Sequence, residues 1–285
     1  RRLELFIVSE TKPDPRTGGT ERSQRLQRLV AHKDVTAVFR DETGASRGTG
    51  ERMTWNSDRG RAVLVGAGPN RPARAFYRQN TLVGPELIYS RRKMDDGVID
   101  TSLVVRGPGH LDYRDAASAD GADQSVHVEW NESAYYSMAK RIGIFVGDPW
   151  LTRKGTGDRL EASRRIVLRF GEAPGTGSLE LRRIAALGDK AGSVSLRHGK
   201  SRSRGNLFVW DADTGDGRIV DTEGDPVKLL EAGASSVIEA GTIVISDERD
   251  GPRRGVTVDK TPRTPIEKPL LGPEGDDGWK EILQE

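Results

Sequence analysis

The chain has no cysteine, which rules out disulfide scaffolds, thiolate metal sites and a cysteine nucleophile. The compartment stays open, because an oxidising space permits disulfides without requiring them. Apolar residues are scarce, at 34% of 285 positions with aromatics at 6%, and the mean hydropathy is −0.60. No apolar run approaches the ~18–20 residues a membrane-spanning helix needs. Neither sign of charge dominates: 45 basic against 43 acidic side chains leave +2, so no nucleic-acid partner is expected. Such a lean composition suits a thin, elongated structure with much surface per residue.

Chemical motifs are missing as well. Asp211, Asp213 and Asp216 do not have calcium-loop spacing, because the positions that need Asp or Asn, Gly and Glu hold Gly215, Asp216 and Thr222. The four histidines, His32, His110, His127 and His198, have no metal-ligand spacing. Gly155-Thr156-Gly157 does not complete a dinucleotide fingerprint, and there is no Walker loop. Asn131-Glu132-Ser133 matches a glycosylation sequon that chance alone supplies often. The expectation is a protein without catalytic residues, metal or cofactor.

What the chain does have is a recurring pattern. Trp55, Trp130 and Trp210 lie 75 and 80 residues apart, and Pro72, Pro149 and Pro226 lie 77 and 77 apart. Beyond each proline comes an apolar triplet: Leu87-Ile88-Tyr89, Ile166-Val167-Leu168 and Ile243-Val244-Ile245. A fixed period of this kind points to stacked supersecondary units. Within them apolar and polar residues alternate, as in Val35, Ala37 and Phe39, in Ile142, Ile144 and Val146, and in Leu179 and Leu181. Alternation with period two is the mark of half-buried strands. No stretch of a dozen residues keeps a helical period. Asn56 to Gly60 and Asp211 to Gly215 read as equivalent hairpin turns, closed by an Asx side chain and a glycine of positive φ.

The predicted fold class is therefore all-β: an elongated open β-jellyroll or solenoid of stacked antiparallel strands in three repeats of about 77 residues. Residues 1–24 are expected to be a partial strand and a polar loop that continue a longer protein. Residues 25–258 form the repeat module, and 259–285 form a mobile Pro/Gly-rich tail in which Trp279 to Leu283 makes a last helical turn. The chain opens on a strand-like run, so any targeting segment is expected to lie outside it.

Several segments together resemble the OstA-like (LptA) family of lipopolysaccharide-transport proteins. They are Leu29 to Val35, Gly50 to Trp55 and Ala62 to Gly66, then Gly147-Asp148-Pro149-Trp150-Leu151 with Arg159 to Ala162, and Gly205 to Trp210 with Val237 to Ile243. The resemblance spans roughly residues 25 to 258, and His32-Lys33 stands where the family often has a glycine turn. It implies an open, V-shaped β-jellyroll whose apolar interior holds acyl chains and whose ends pair edge to edge with neighbouring modules. It also implies a periplasmic or cell-envelope location in a double-membrane bacterium.

On that reading the protein is a non-catalytic module that binds or bridges an amphipathic envelope lipid, lipopolysaccharide or a related glycolipid. The expected groove residues are Val35, Ala37, Phe39, Ile142, Ile144, Val146, Ile238, Ala240 and Val244. The dense basic run Arg197 to Arg204 supplies a head-group contact through Arg197, Lys200, Arg202 and Arg204. Two other functions fit the same strands: a structural or adhesive repeat scaffold with a closed core, and a carbohydrate-active β-solenoid enzyme with two converging carboxylates.

Overall fold

A computed structural model describes residues 2–13, 20–41, 44–93, 97–114, 125–153, 157–172, 179–190, 192–221, 225–230, 237–246 and 255–259. The expected tail beyond Asp259 and its helical turn fall outside the described residues. Twenty-four strands and no helix form among the described residues, and the strands pair antiparallel. The chain divides into two units, Arg1–Arg106 with Ser137–Ala139, and Gly107–Tyr136 with Lys140–Glu285.

The first unit contains β1 (Arg2–Pro13), β2 (Thr20–Asp41), β3 (Gly44–Asn56), β4 (Arg61–Val65), β5 (Ala73–Tyr77), β6 (Asn80–Gly84), β7 (Glu86–Lys93) and β8 (Ile99–Arg106). Its two long strands serve two walls at once. Arg28 to His32 pair with Arg52 to Asn56, and that ladder continues through β4, β7 and β8. Val35 to Asp41 pair with Gly44 to Gly50, and this second ladder continues through β5 and β6. The switch falls on Lys33 and Asp34, whose φ values of 65° and 50° form a bulge opposite Glu51. Two consecutive left-handed residues turn the strand sharply, a task usually left to glycine. Here Asp34 is tied to Arg71 at 2.8 Å.

The second unit is built the same way from shorter pieces: β9 (Gly109–Tyr113), β10 (Val126–Trp130), β11 (Ser133–Ser137, its last residue counted with the first unit), β12 (Ile142–Val146), β13 (Trp150–Arg153), β14 (Arg159–Ala162), β15 (Arg165–Glu172), β16 (Leu179–Leu187), β17 (Val194–His198), β18 (Ser201–Gly205), β19 (Leu207–Asp211), β20 (Asp216–Val220), β21 (Val227–Leu230), β22 (Ile238–Ala240), β23 (Thr242–Ser246) and β24 (Gly255–Asp259). One wall runs β12–β15–β16–β19–β20–β23–β24. The other runs β9–β10–β13–β14–β17–β18–β21–β22. The chain makes a hairpin in one wall, rounds a corner, makes a hairpin in the other and returns.

This path explains the sequence period and corrects it. Pro72, Pro149 and Pro226 each stand immediately before a second-wall strand, β5, β13 and β21. Proline has no N–H to offer a ladder, so it fits a corner just outside a strand. The apolar triplets open β7, β15 and β23. Both landmarks therefore recur every eight strands. The structural repeat is half that long, four strands, and Pro108 before β9 marks an intermediate one.

The tryptophans are not all equivalent. Trp55 faces Ala62 across the β3–β4 hairpin and Trp210 faces Gly217 across β19–β20, each one residue before its strand ends. Tyr136 holds that place in β11. Trp130 instead closes β10 in the other wall, where it donates Nε1–H to the Gly107 carbonyl at 3.1 Å and packs on Phe145. The shared turns do match. Asn56 Oδ1 accepts from Arg59 N at 3.0 Å, Asp211 Oδ1 accepts from Asp213 N at 3.0 Å, and Gly60 and Gly215 adopt positive φ. Beside the first turn, Asp58 accepts from Gln27 at 3.0 Å and Arg25 at 2.7 Å. The Gln27 hydrogen bond, then Arg25, holds its carboxyl below the ordinary 3.8.

Candidate functional site: a slot between two walls

Residues directly opposite in an antiparallel ladder share a face, so the register sorts every side chain of the second unit. In the β12 wall one face carries Phe145, Ile166, Ala186, Phe208, Ile219 and Ile243, with Leu168, Ile184, Trp210 and Ile245 alongside. In the β10 wall the matching face carries Val128, Leu151, Leu160, Leu196 and Leu229, then Ala162, Val194, Val227 and Ala240. Nearly all of these side chains are buried. The two apolar faces enclose a slot lined by Leu151, Leu160 and Leu196 from one wall and Ile184, Phe208 and Ile245 from the other. Its free volume is about 50 Å³, room for a few waters.

The two sides of the slot are closed differently. On the corner side, backbone hydrogen bonds run from corner to corner: Asn131 N to Gly147 O at 2.8 Å, Gly147 N to Arg164 O at 3.3 Å, Ser163 N to Ser193 O at 3.1 Å, Gly188 N to Asn206 O at 2.8 Å and Asn206 N to Val220 O at 3.1 Å. Gly147 is required there, since it has φ 87° and a Cβ would lie 2.4 Å from Glu132 Cγ and 2.7 Å from its backbone N. On the hairpin side, the mouth, side chains meet across the walls. Tyr113 donates to the Leu179 carbonyl at 2.8 Å, and the Arg153 guanidinium lies 5.5 Å from the Trp210 ring centroid. Asp158 Oδ1 and His198 Nδ1 lie 2.9 Å apart on the same rim, both side chains about nine-tenths buried.

The expected groove residues divide by parity. Ile238 and Ala240 are on the slot face of the second unit, Ala240 buried and Ile238 half-buried. Val35 and Ala37 are buried in the first unit, opposite Gly50 and Gly48. The Phe39 side chain lies outside the described ones. Ile142, Ile144, Val146 and Val244 are on the other face: the inward members of those strands are Gly143 and Phe145, and Ile243 and Ile245. β12 is Ile-Gly-Ile-Phe-Val and β23 contains an unbroken apolar triplet. In such strands composition does not show which parity points in, and only register decides.

The basic run divides too. Arg197 lies directly opposite both Arg159 and Arg202, Arg204 follows two residues on, and Lys200 occupies the turn. All four expected head-group residues are exposed, and the three arginines face away from the slot. A lipid with its chains in the slot would meet the rim set Arg153, Asp158, His198 and Trp210 first. Sequence reasoning missed that set because Arg153, His198 and Trp210 come from β13, β17 and β19 and Asp158 stands just before β14.

The outer face of β9, β10 and β13 carries a second polar cluster. His127 Nδ1 lies 2.8 Å from Asp112 and Nε2 lies 3.0 Å from Glu129. Trp150 stacks beside His127 and under Arg159, whose guanidinium carbon is 4.4 Å from the ring centroid. These carboxylates are open to solvent and spent on one histidine, rather than flanking a cleft. The aspartates once open to a calcium reading serve a turn, Asp211 reaching Arg183 and Asp213 reaching Arg182. Among the described residues no group of three or more His, Asp or Glu could hold a metal ion. No described helix is long and apolar enough to cross a membrane, which says nothing about a β-barrel.

No family model and no curated protein matches the sequence. Among solved structures the chain is similar to LptH from Pseudomonas aeruginosa, described as the LptA homologous periplasmic component of the conserved lipopolysaccharide transport device. The identity is 13%, the match covers 48% of this chain and 92% of that one, and the TM-score is 0.35. A score that low sets no fold equivalence.

Proposed function

We propose that the chain is a non-catalytic module that binds or bridges an amphipathic envelope lipid, lipopolysaccharide or a related glycolipid, in the periplasm or cell envelope of a double-membrane bacterium. One observation carries the reading: two antiparallel walls turn continuous apolar faces toward each other, hinged by backbone hydrogen bonds along the corners and joined at the mouth by side chains. At about 50 Å³ the slot is too small for an acyl chain, so loading means parting the walls at the mouth while the corners hold. Transfer of a chain of about twelve carbons from water offers on the order of 10 kcal/mol toward that opening, at ~0.8 kcal/mol per methylene. The bridging half draws on β1. Leu3, Leu5 and Ile7 are 61%, 53% and 58% exposed on this strand, whose one pairing among the described residues is with β2. An apolar edge strand of that kind suits addition of another β-module.

The small cavity and the two links at the mouth favour a second reading, a structural or adhesive scaffold with a closed core. Displacement of a fluorescent acyl probe, together with mass spectrometry of protein purified without detergent, separates the two. Lipid carriage predicts saturable probe uptake that Ala240→Arg on the slot face lowers and Leu230→Arg on the exposed face does not. Absence of uptake by the unaltered chain would leave the scaffold standing and remove the lipid reading.

A further inference from the structure

We infer that the mouth of the slot in the second unit is a subsite for a neutral, hydroxylated head group, a sugar joined to the chain lying between the walls. The sugar specificity deepens the proposed function and rests on it for the chain, but the subsite has its own evidence. Trp210 Nε1 is buried and has no hydrogen-bond partner among the described residues. An indole N–H can only donate, and leaving a buried donor unpaired is costly, so the site calls for an acceptor oxygen that no described residue supplies. Gly217 stands opposite Trp210 in the ladder, with the Phe208 ring against it (3.0 Å from where a Cβ would lie), and Gly215 also lines the slot beside the indole.

The rest of the rim selects what carries that oxygen. The Arg153 guanidinium sits over the Trp210 ring and can donate, whereas the buried Asp158 beside His198 can accept. Hydroxyl groups both donate and accept, so one sugar satisfies all three kinds of partner. A phosphate would face the Asp158 carboxylate as well as the Arg153 guanidinium, and these opposite charges leave the rim no cationic excess to hold it. The exposed arginines of β17 and β18 face away and do not supply one. Chemical character is therefore split between a charge-balanced rim and a cationic outer face.

The test is a titration of the full chain with three probes sharing an eight-carbon tail: octyl glucoside, octyl phosphate and octanol. Binding is followed by calorimetry and by the Trp210 indole 15N–1H resonance, assigned through its loss in Trp210→Phe. Octyl glucoside should bind about tenfold more tightly than octanol, the worth of one to two added hydrogen bonds, and should shift that resonance. Trp210→Phe and Asp158→Asn should each bring the glucoside-to-octanol ratio toward one, and the double variant Arg197→Ala, Arg202→Ala should leave it unchanged. A preference for octyl phosphate, or a ratio insensitive to Trp210→Phe, overturns the head-group assignment even if octanol binds. If no tailed probe binds, the lipid reading fails, and methyl glucoside decides the subsite alone. A saturable shift of the Trp210 resonance upholds the subsite, and its absence overturns it.

Discussion

Arg197 and His198 are neighbours in β17 and belong to different surfaces. Arg197 looks outward into solvent and faces two other arginines across the sheet, whereas His198 looks inward and makes a buried 2.9 Å contact with Asp158. A milder split separates half-buried Val244 from buried Ile243 and Ile245 in β23, whereas in β12 Ile144 and Phe145 lie on opposite faces and are both buried. In this architecture position along the chain says little about environment, and strand parity says nearly everything.

Adjacent substitutions in β23 give the largest contrast. Ile243→Ala removes a side chain with no solvent exposure and should cost about 2–5 kcal/mol, whereas Val244→Ala on the half-buried opposite face should cost about 1 kcal/mol. Equal losses in urea melts would mean that the register of β20 and β23 is misassigned. Gly147→Ala comes next. It forces a Cβ into Glu132 at a corner of positive φ and should destabilise by about 1–3 kcal/mol, with the β12–β13 amides losing hydrogen-exchange protection first.

Much of the fold can be read from the residues. Alternating runs call the strands, prolines locate the corners and Asx-Gly loops locate the hairpins. The failures have physical causes. Trp130 was grouped with Trp55 and Trp210 because tryptophan is conspicuous, yet the equivalent ring in β11 is Tyr136, which hides among ordinary residues. Alternation alone makes Ile142, Ile144 and Val146 the inward set of β12; Ile142 and Ile144 are buried, but on the face opposite Phe145, and the intervening Gly143 carries no apolar signal that would reveal the second face. The basic run stands out by density, while the rim residues, scattered over four separate segments, have no density to notice.

Smaller effects test the outward face. Arg182→Ala breaks a 2.7 Å contact to the exposed Asp213 and should change stability by less than about 1 kcal/mol, fading further at high salt. Asp58→Asn has a pH signature. The Asp58 carboxyl titrates below its ordinary 3.8 in the folded chain, so its contribution is fully present above that pH. The contribution is lost as pH falls through the lower folded value. The variant should therefore differ from the parent chain in thermal melts at pH 6 and converge with it near pH 2. A gap that widened on acidification would contradict the Gln27 and Arg25 contacts.

The four-strand repeat also makes length a free variable. Along each wall of the second unit a rung's backbone pairs with the rungs that flank it, and hydrogen bonds run from corner to corner. Adding or deleting one such cassette would lengthen or shorten the molecule by a fixed step without altering any other joint. Reach becomes a matter of counting cassettes, and a gene encoding this design could be cut to measure like tape.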